Sequence, residues 1–107
     1  MMTLRELNEA FIENNCVLNI AIDIEKNSFK YNLMISLGRY EESKDDKLMV
    51  YFYDVSQLEI KNFGGGLVQF MHLKVDEENS GLDRVNYALE DLEDNKVFFY
   101  FESFDVL

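Results

Sequence analysis

Proline and tryptophan are missing from this 107-residue chain, Cys and His occur once each, and Lys plus Arg number 10 against 21 Asp plus Glu. Each shortage excludes something. Without Pro, and with no Gly/Ser-rich stretch or internal repeat, nothing marks a boundary between domains, and a chain of this length has room for one core. Residues 1–107 are therefore expected to form a single domain. The lone Cys16 can make no internal disulfide, whereas small secreted domains carry dense, even sets of cysteines. No apolar run nears the roughly 20 residues that cross a bilayer as a helix, and the opening "MMTLRELNEAF" reads as a polar helix rather than the apolar segment of a signal peptide. Both absences lead us to expect a cytoplasmic protein.

A single histidine also narrows the chemistry. Any Ser/His/Asp or Cys/His arrangement must use His72, which stands in "QFMHLKV" far from Cys16, and none of the six serines lies in a G-x-S-x-G turn. One His and one Cys can hardly furnish a zinc site. "NFGGGLVQF" looks like a phosphate loop until its sequel is read: Leu67 and Val68 follow, not Lys and Ser or Thr, so the glycines are read as a tight connection between strands. We expect no catalytic residue, no metal and no cofactor. The scarcity of bases leaves a formal charge of -11, with nine acids and six bases in residues 1–53 and twelve acids and four bases in residues 54–107. Such a body is repelled by nucleic acid and by anionic membranes, and attracted to basic proteins. The same charge also serves solubility alone.

What is present is apolar periodicity. Thr3 and Glu6 make a capping box, and Leu4, Leu7 and Phe11 fall on one stripe, so residues 3–14 are predicted to be an amphipathic helix. From Val17 the period becomes two. With a two-residue turn at Asn27 and Ser28, Leu18 faces Leu37, Ile20 faces Ile35, Ile22 faces Leu33 and Ile24 faces Tyr31, all taken as core pairs. Further strands are expected at 48–54, at 55–63 after a bend at Asp54, at 67–75, and in a closing hairpin. A three-residue loop, Glu93 to Asn95, aligns Val85, Tyr87 and Leu89 with Val97, Phe99 and Phe101 on one face. Phe98, Tyr100, Glu102 and Phe104 then occupy the other face. The expected class is α+β, β-dominated: one N-terminal helix followed by about seven mostly antiparallel strands in a bent meander or small sandwich.

"DEENSGLDRVNYALEDLED", residues 76–94, carries eight acids against Arg84. Asp76, Glu78, Ser80 and Gly81 match positions 1, 3, 5 and 6 of a calcium loop, but Arg84 and Tyr87 stand at positions 9 and 12, where a ligand or water and a bidentate Glu belong. A strand connection with Gly81 at positive φ is the better reading. The candidate partner-binding residues are Glu77, Glu78, Asp83, Glu90, Asp91, Glu93 and Asp94, with Phe98 and Tyr100 as aromatic anchors. The bland alternative is a solvated rim with the aromatics packed beneath the helix.

The layout of residues 58–106, "LEIKNFGGGLVQFMHLKVDEENSGLDRVNYALEDLEDNKVFFYFESFDV", resembles the C-terminal half of small bacterial immunity proteins of polymorphic toxin systems. The features shared are the alternation into "NFGG", a strand ending in an acidic loop, "NYALEDLED", and the aromatic strand "VFFYFESFDV". The resemblance implies a cytoplasmic, non-catalytic protein that neutralises a cognate toxin by occluding its active surface. A basic cleft, as in a nuclease toxin, would suit the acidic second half. Two other classes stay open from the residues alone: an enzyme binding a small molecule or metal in a carboxylate-lined pocket, and a subunit that self-associates, as a homodimer, through an edge strand.

Overall fold

The computed structural model describes residues 2–39, 47–78, 81 and 85–107. Helix α1 (Leu4–Glu13) begins at the capping box read from the sequence: the Thr3 hydroxyl accepts from the Glu6 N–H at 3.2 Å, and the Glu6 carboxylate accepts from the Thr3 N–H at 2.9 Å. The Thr3 backbone and side-chain bonds together lower the Glu6 pKa from its ordinary value. At the other end the Asn14 backbone N–H and side-chain amide both donate to the Ala10 carbonyl. Leu7 and Phe11 are buried, as the helical stripe predicts.

Eight strands follow among the described residues: β1 (Cys16–Ile24), β2 (Tyr31–Gly38), β3 (Leu48–Tyr53), β4 (Ser56–Ile60), β5 (Leu73–Glu77), β6 (Tyr87–Asp91), β7 (Val97–Phe101) and β8 (Ser103–Val106). They form two antiparallel sheets, ordered β1-β2-β3-β8 and β4-β7-β6-β5. The fold is thus α+β and β-dominated, as expected. The eighth strand arises because the aromatic closing segment breaks at Glu102. There the chain leaves one sheet for the other, just as β3 does at Asp54, whose φ is 56°. The two corners are tied together, since the Glu102 N–H donates to the Tyr53 carbonyl at 2.9 Å.

This corner resets the alternation. Straight continuation would leave Phe104 on the outer face with Phe98 and Tyr100. Instead Phe104 and Val106 pack against the core, with Phe104 edge-on to Tyr87 and Phe101. The core lies between the sheets, centred on Phe52 of β3, which meets Phe99 and Phe101 of β7 edge to face at 5.0 and 4.8 Å. That geometry favours the contact beyond the area buried.

The β1–β2 register agrees with the sequence at Ile20/Ile35, Ile22/Leu33 and Ile24/Tyr31, then shifts at a bulge between Val17 and Asn19, so that Val17 rather than Leu18 opposes Leu37. The turn is longer than two residues. Glu25 donates to Lys30, Phe29 donates back to Glu25, and Phe29 takes φ 57°. The pairing survives because lengthening a loop by one residue at each end leaves its centre unmoved. The burial does not follow the expectation. Ile22 and Ile24 are 56% and 49% exposed, and of this row Ile20 is the isoleucine that packs against the core.

The expected strand at 67–75 is corrected. Residues 68–70 only touch the start of β1, through Val17 N–H to Val68 O and Phe70 N–H to Asn15 O, and regular pairing starts at Leu73 and runs on to Glu77. His72 accordingly stands in a turn, exposed. The glycines at 64–66 all have positive φ and form the connection foreseen. Helix α1 lies along β5, where the Asn8 side chain accepts from the Val75 N–H at 2.8 Å and donates to the Val75 carbonyl at 2.9 Å. Asn8 therefore occupies the hydrogen bonds that a further strand would use.

Candidate functional site

The closing hairpin pairs Tyr87 with Phe101, Ala88 with Tyr100, Leu89 with Phe99 and Glu90 with Phe98, the register that the three-residue loop predicts. Asn95 has φ 52° and its N–H donates to the Asp91 carbonyl. Leu89, Val97, Phe99 and Phe101 go inward. Phe98 and Tyr100 go outward, partly exposed, edge to face at 5.0 Å. The helix contacts β5, and its buried residues face the core, so it leaves the outer face of β7 uncovered.

Pairing across the second sheet defines what surrounds these rings. Glu59, Phe98, Glu90 and Lys74 form one row, and Ser56, Tyr100, Ala88 and Asp76 the next. Phe98 thus lies between two carboxylates, one from each neighbouring strand. Lys74, the cation in the row, is engaged by Asp76 at 3.4 Å. A shallow cavity of about 170 Å³ opens beside Phe98, lined by Glu59, Lys61, Glu90, Asn95 and Val97. An aromatic face flanked by carboxylates suits a guanidinium or ammonium, which the ring's quadrupole and the acids attract together.

The sequence-derived residues separate into groups. Glu90, Phe98 and Tyr100 share this outer face. Glu93 and Asp94 are exposed in the loop at one end of the hairpin. Glu77 and Glu78 lie at the opposite end, where Glu77 pairs with Tyr87 and the Glu78 N–H donates to Asn86. Asp83 falls outside the described residues, as do Ser80 and Arg84 of the near-miss calcium loop; Gly81 has the expected positive φ, 77°. Asp91 is corrected. It is fully buried, and its carboxylate accepts from the backbone N–H groups of His72 and Lys96, both at 3.2 Å. A buried carboxylate satisfied in this way fastens the hairpin loop to the start of β5, and its charge faces no partner.

Glu59 was missed by sequence reasoning. The bulge in β4, with Gln57 at φ 53°, brings Ser56 and Glu59 onto the same face, although simple alternation puts them on opposite ones.

Two larger cavities flank β1, the second of them mainly apolar. One of about 530 Å³ lies between Val17–Ile20 and Phe63, Gly66, Leu67 and Val68; the other, about 430 Å³, lies between Ile22, Tyr31 and Leu33 and the Val55–Leu58 segment. Beneath the second, the Asn32 side chain accepts from the Asp54 N–H and donates to Glu25. The bonds from Asn32 and then Ser28 lower the Glu25 pKa. Among the described residues there is no group of three or more His, Cys, Asp or Glu placed to hold a metal ion, and no helix long and apolar enough to cross a membrane. The chain matches no protein-family model, no curated protein and no solved structure.

Proposed function

We propose that the chain is a non-catalytic, acidic protein-binding module of the immunity type, which neutralises a cognate toxin in the bacterial cytoplasm by seating the outer face of its second sheet on a basic active surface. The observation that carries this reading is the outward Phe98–Tyr100 pair with Glu59 and Glu90 on either side of Phe98. Aromatics at the centre of a patch with acids around it supply the two parts of a tight, fast interface: a desolvated anchor and long-range attraction. The formal charge of -11 adds a field that draws basic surfaces and repels the nucleic acid on which a nuclease toxin would act. The layout resemblance of residues 58–106 points the same way.

The test takes the protein encoded by the adjacent reading frame as the toxin. Equimolar addition of the chain should abolish its activity. Phe98→Ala and Tyr100→Ala should fold normally, because both rings are partly exposed, and should dissociate faster. An absent complex, or one that keeps its lifetime in both variants, would remove this face from the account.

A further inference from the structure

We propose that the protein forms a twofold dimer by antiparallel pairing of β1 with β1 of a second copy, joining the two β1-β2-β3-β8 sheets into one. This inference is independent of the toxin-binding reading, which concerns the other sheet.

The sheets have four edges, and three are guarded. The β5 edge is occupied by Asn8, which takes both the N–H and the carbonyl of Val75. The β4 edge is five residues long and interrupted by the bulge at Gln57. The β8 edge is four residues long and carries the exposed Asp105. Short, bulged or charged edges are how proteins prevent unwanted strand addition. The β1 edge is nine residues long; residues 68–70 cover its start, a bulge follows between Val17 and Asn19, and the regular stretch Asn19–Ile24 stays open beyond them.

From Asn19 to Ile24 this edge is regular and built for pairing. Glu25 donates across the hairpin to Lys30, so alternation directs the N–H and C=O groups of Asp23, Ala21 and Asn19 at β2 and those of Ile24, Ile22 and Ile20 outward. Among the described residues no other element bonds these outward groups. The same segment carries the exposed side chains of Ile22 and Ile24, at 56% and 49%.

The sequence also selects the occupant. Centring the pair on Ala21 sets Ala21 against its own copy, Ile20 against Ile22 and Asn19 against Asp23. Ile20 meets Ile22 on one face, their outward groups bond each other, Asp23 meets an amide, and the regular pairing ends at the bulge by Leu18. No like charges oppose. Moving the centre to Ile22 would bring the two copies of Asp23 to diagonal positions, about 7–8 Å apart, where they repel. Moving it to Ile20 would run into the segment already bonded to residues 68–70. The overall charge of -11 on each copy opposes association and is screened by salt, so added salt should tighten the dimer.

Sedimentation equilibrium of the full chain should show the 12.6 kDa species giving way to one of twice that mass as concentration rises, more readily in higher salt. Ala21→Glu puts two like charges face to face at the twofold axis while altering an exposed position, so it should weaken association about tenfold or more with the same circular dichroism and melt. Ala21→Cys provides the complementary readout. Ala21 and its copy form a non-hydrogen-bonded pair with Cα atoms about 4.5 Å apart, within disulfide reach, so mild oxidation should join two chains through it. Asp23→Cys faces Asn19 and should crosslink about tenfold more slowly or less. A single 12.6 kDa species at every concentration would overturn the dimer. Undiminished association of Ala21→Glu, or equal crosslinking of Ala21→Cys and Asp23→Cys, would overturn the pairing.

Discussion

Replacing Asp91 by Ala removes a carboxylate that is fully buried and that accepts two backbone hydrogen bonds, from His72 and Lys96. The lost acceptors decide the magnitude. A donor left without a partner in a buried site costs about 1–3 kcal/mol. Both donors here are only partly enclosed and can recover some solvation, so about 2–4 kcal/mol in total is expected. With a urea m-value of about 2 kcal/mol/M for a domain of this size, the unfolding midpoint should fall by about 1–2 M with an unchanged slope. Asp91→Asn keeps one acceptor oxygen and should lose roughly half as much. Glu90→Ala, one residue away on the outer face, should stay within about 0.5 kcal/mol. Urea melts followed by far-ultraviolet circular dichroism measure all three. Equal midpoints for Asp91→Ala and Glu90→Ala would refute the reasoning, and with it the exclusion of Asp91 from the binding face.

Four other outcomes follow from the same structure. Ile22→Ala should cost under about 1 kcal/mol, because the residue is more than half exposed, whereas Phe52→Ala, at the aromatic junction of the sheets, should cost about 3–5 kcal/mol in the same melts. Asn8→Ala should cost about 1–3 kcal/mol and speed amide exchange at Val75, whose N–H it would leave unpaired. Glu25 has its pKa lowered in the folded state by Asn32 and then Ser28, so its stabilising effect is present above the ordinary carboxylate pKa and lost as pH falls through the folded value. Asn32→Ala should return the Glu25 titration, followed by carboxyl carbon chemical shifts, toward its usual range; an unmoved titration would exclude the Asn32 bond as its cause.

Local rules of the sequence were obeyed where few residues decide them. The capping box needs only Thr3 and Glu6, and both hairpin registers follow from matching apolar rows across a loop, which is why Asn95 at positive φ could be foreseen. What escaped depends on the far side of the molecule. Alternation shows that Ile22 and Ile24 share a face with Ile20, but how far along the strand that face is buried is a tertiary property. The corner at Glu102 has no Gly or Pro to announce it, so the inward turn of Phe104 was not legible. Asp91 looks like its acidic neighbours in sequence; the backbone donors of His72 and Lys96 distinguish it, and they converge only in the fold. Of the candidate site, the outward placement of Phe98 and Tyr100 was readable from the register, and the arrival of Glu59 beside Phe98 was not, because a bulge in β4 controls it.

The central claim, that an acidic aromatic face binds a basic toxin, is tested most directly by the association rate of the two proteins as a function of ionic strength, for the natural chain and for a variant with Glu59, Glu90, Glu93 and Asp94 changed to Lys. All four acids are surface residues near Phe98 or in the adjoining loop, so the fold should persist. Steering by exposed charges acts mainly on the encounter and fades beyond the Debye length, about 8 Å at physiological ionic strength. The natural chain should associate more slowly as salt is raised, and the variant should associate slowly at low salt with a flat or inverted dependence. Rates indifferent both to salt and to the four substitutions would contradict the claim and leave the charge as a determinant of solubility.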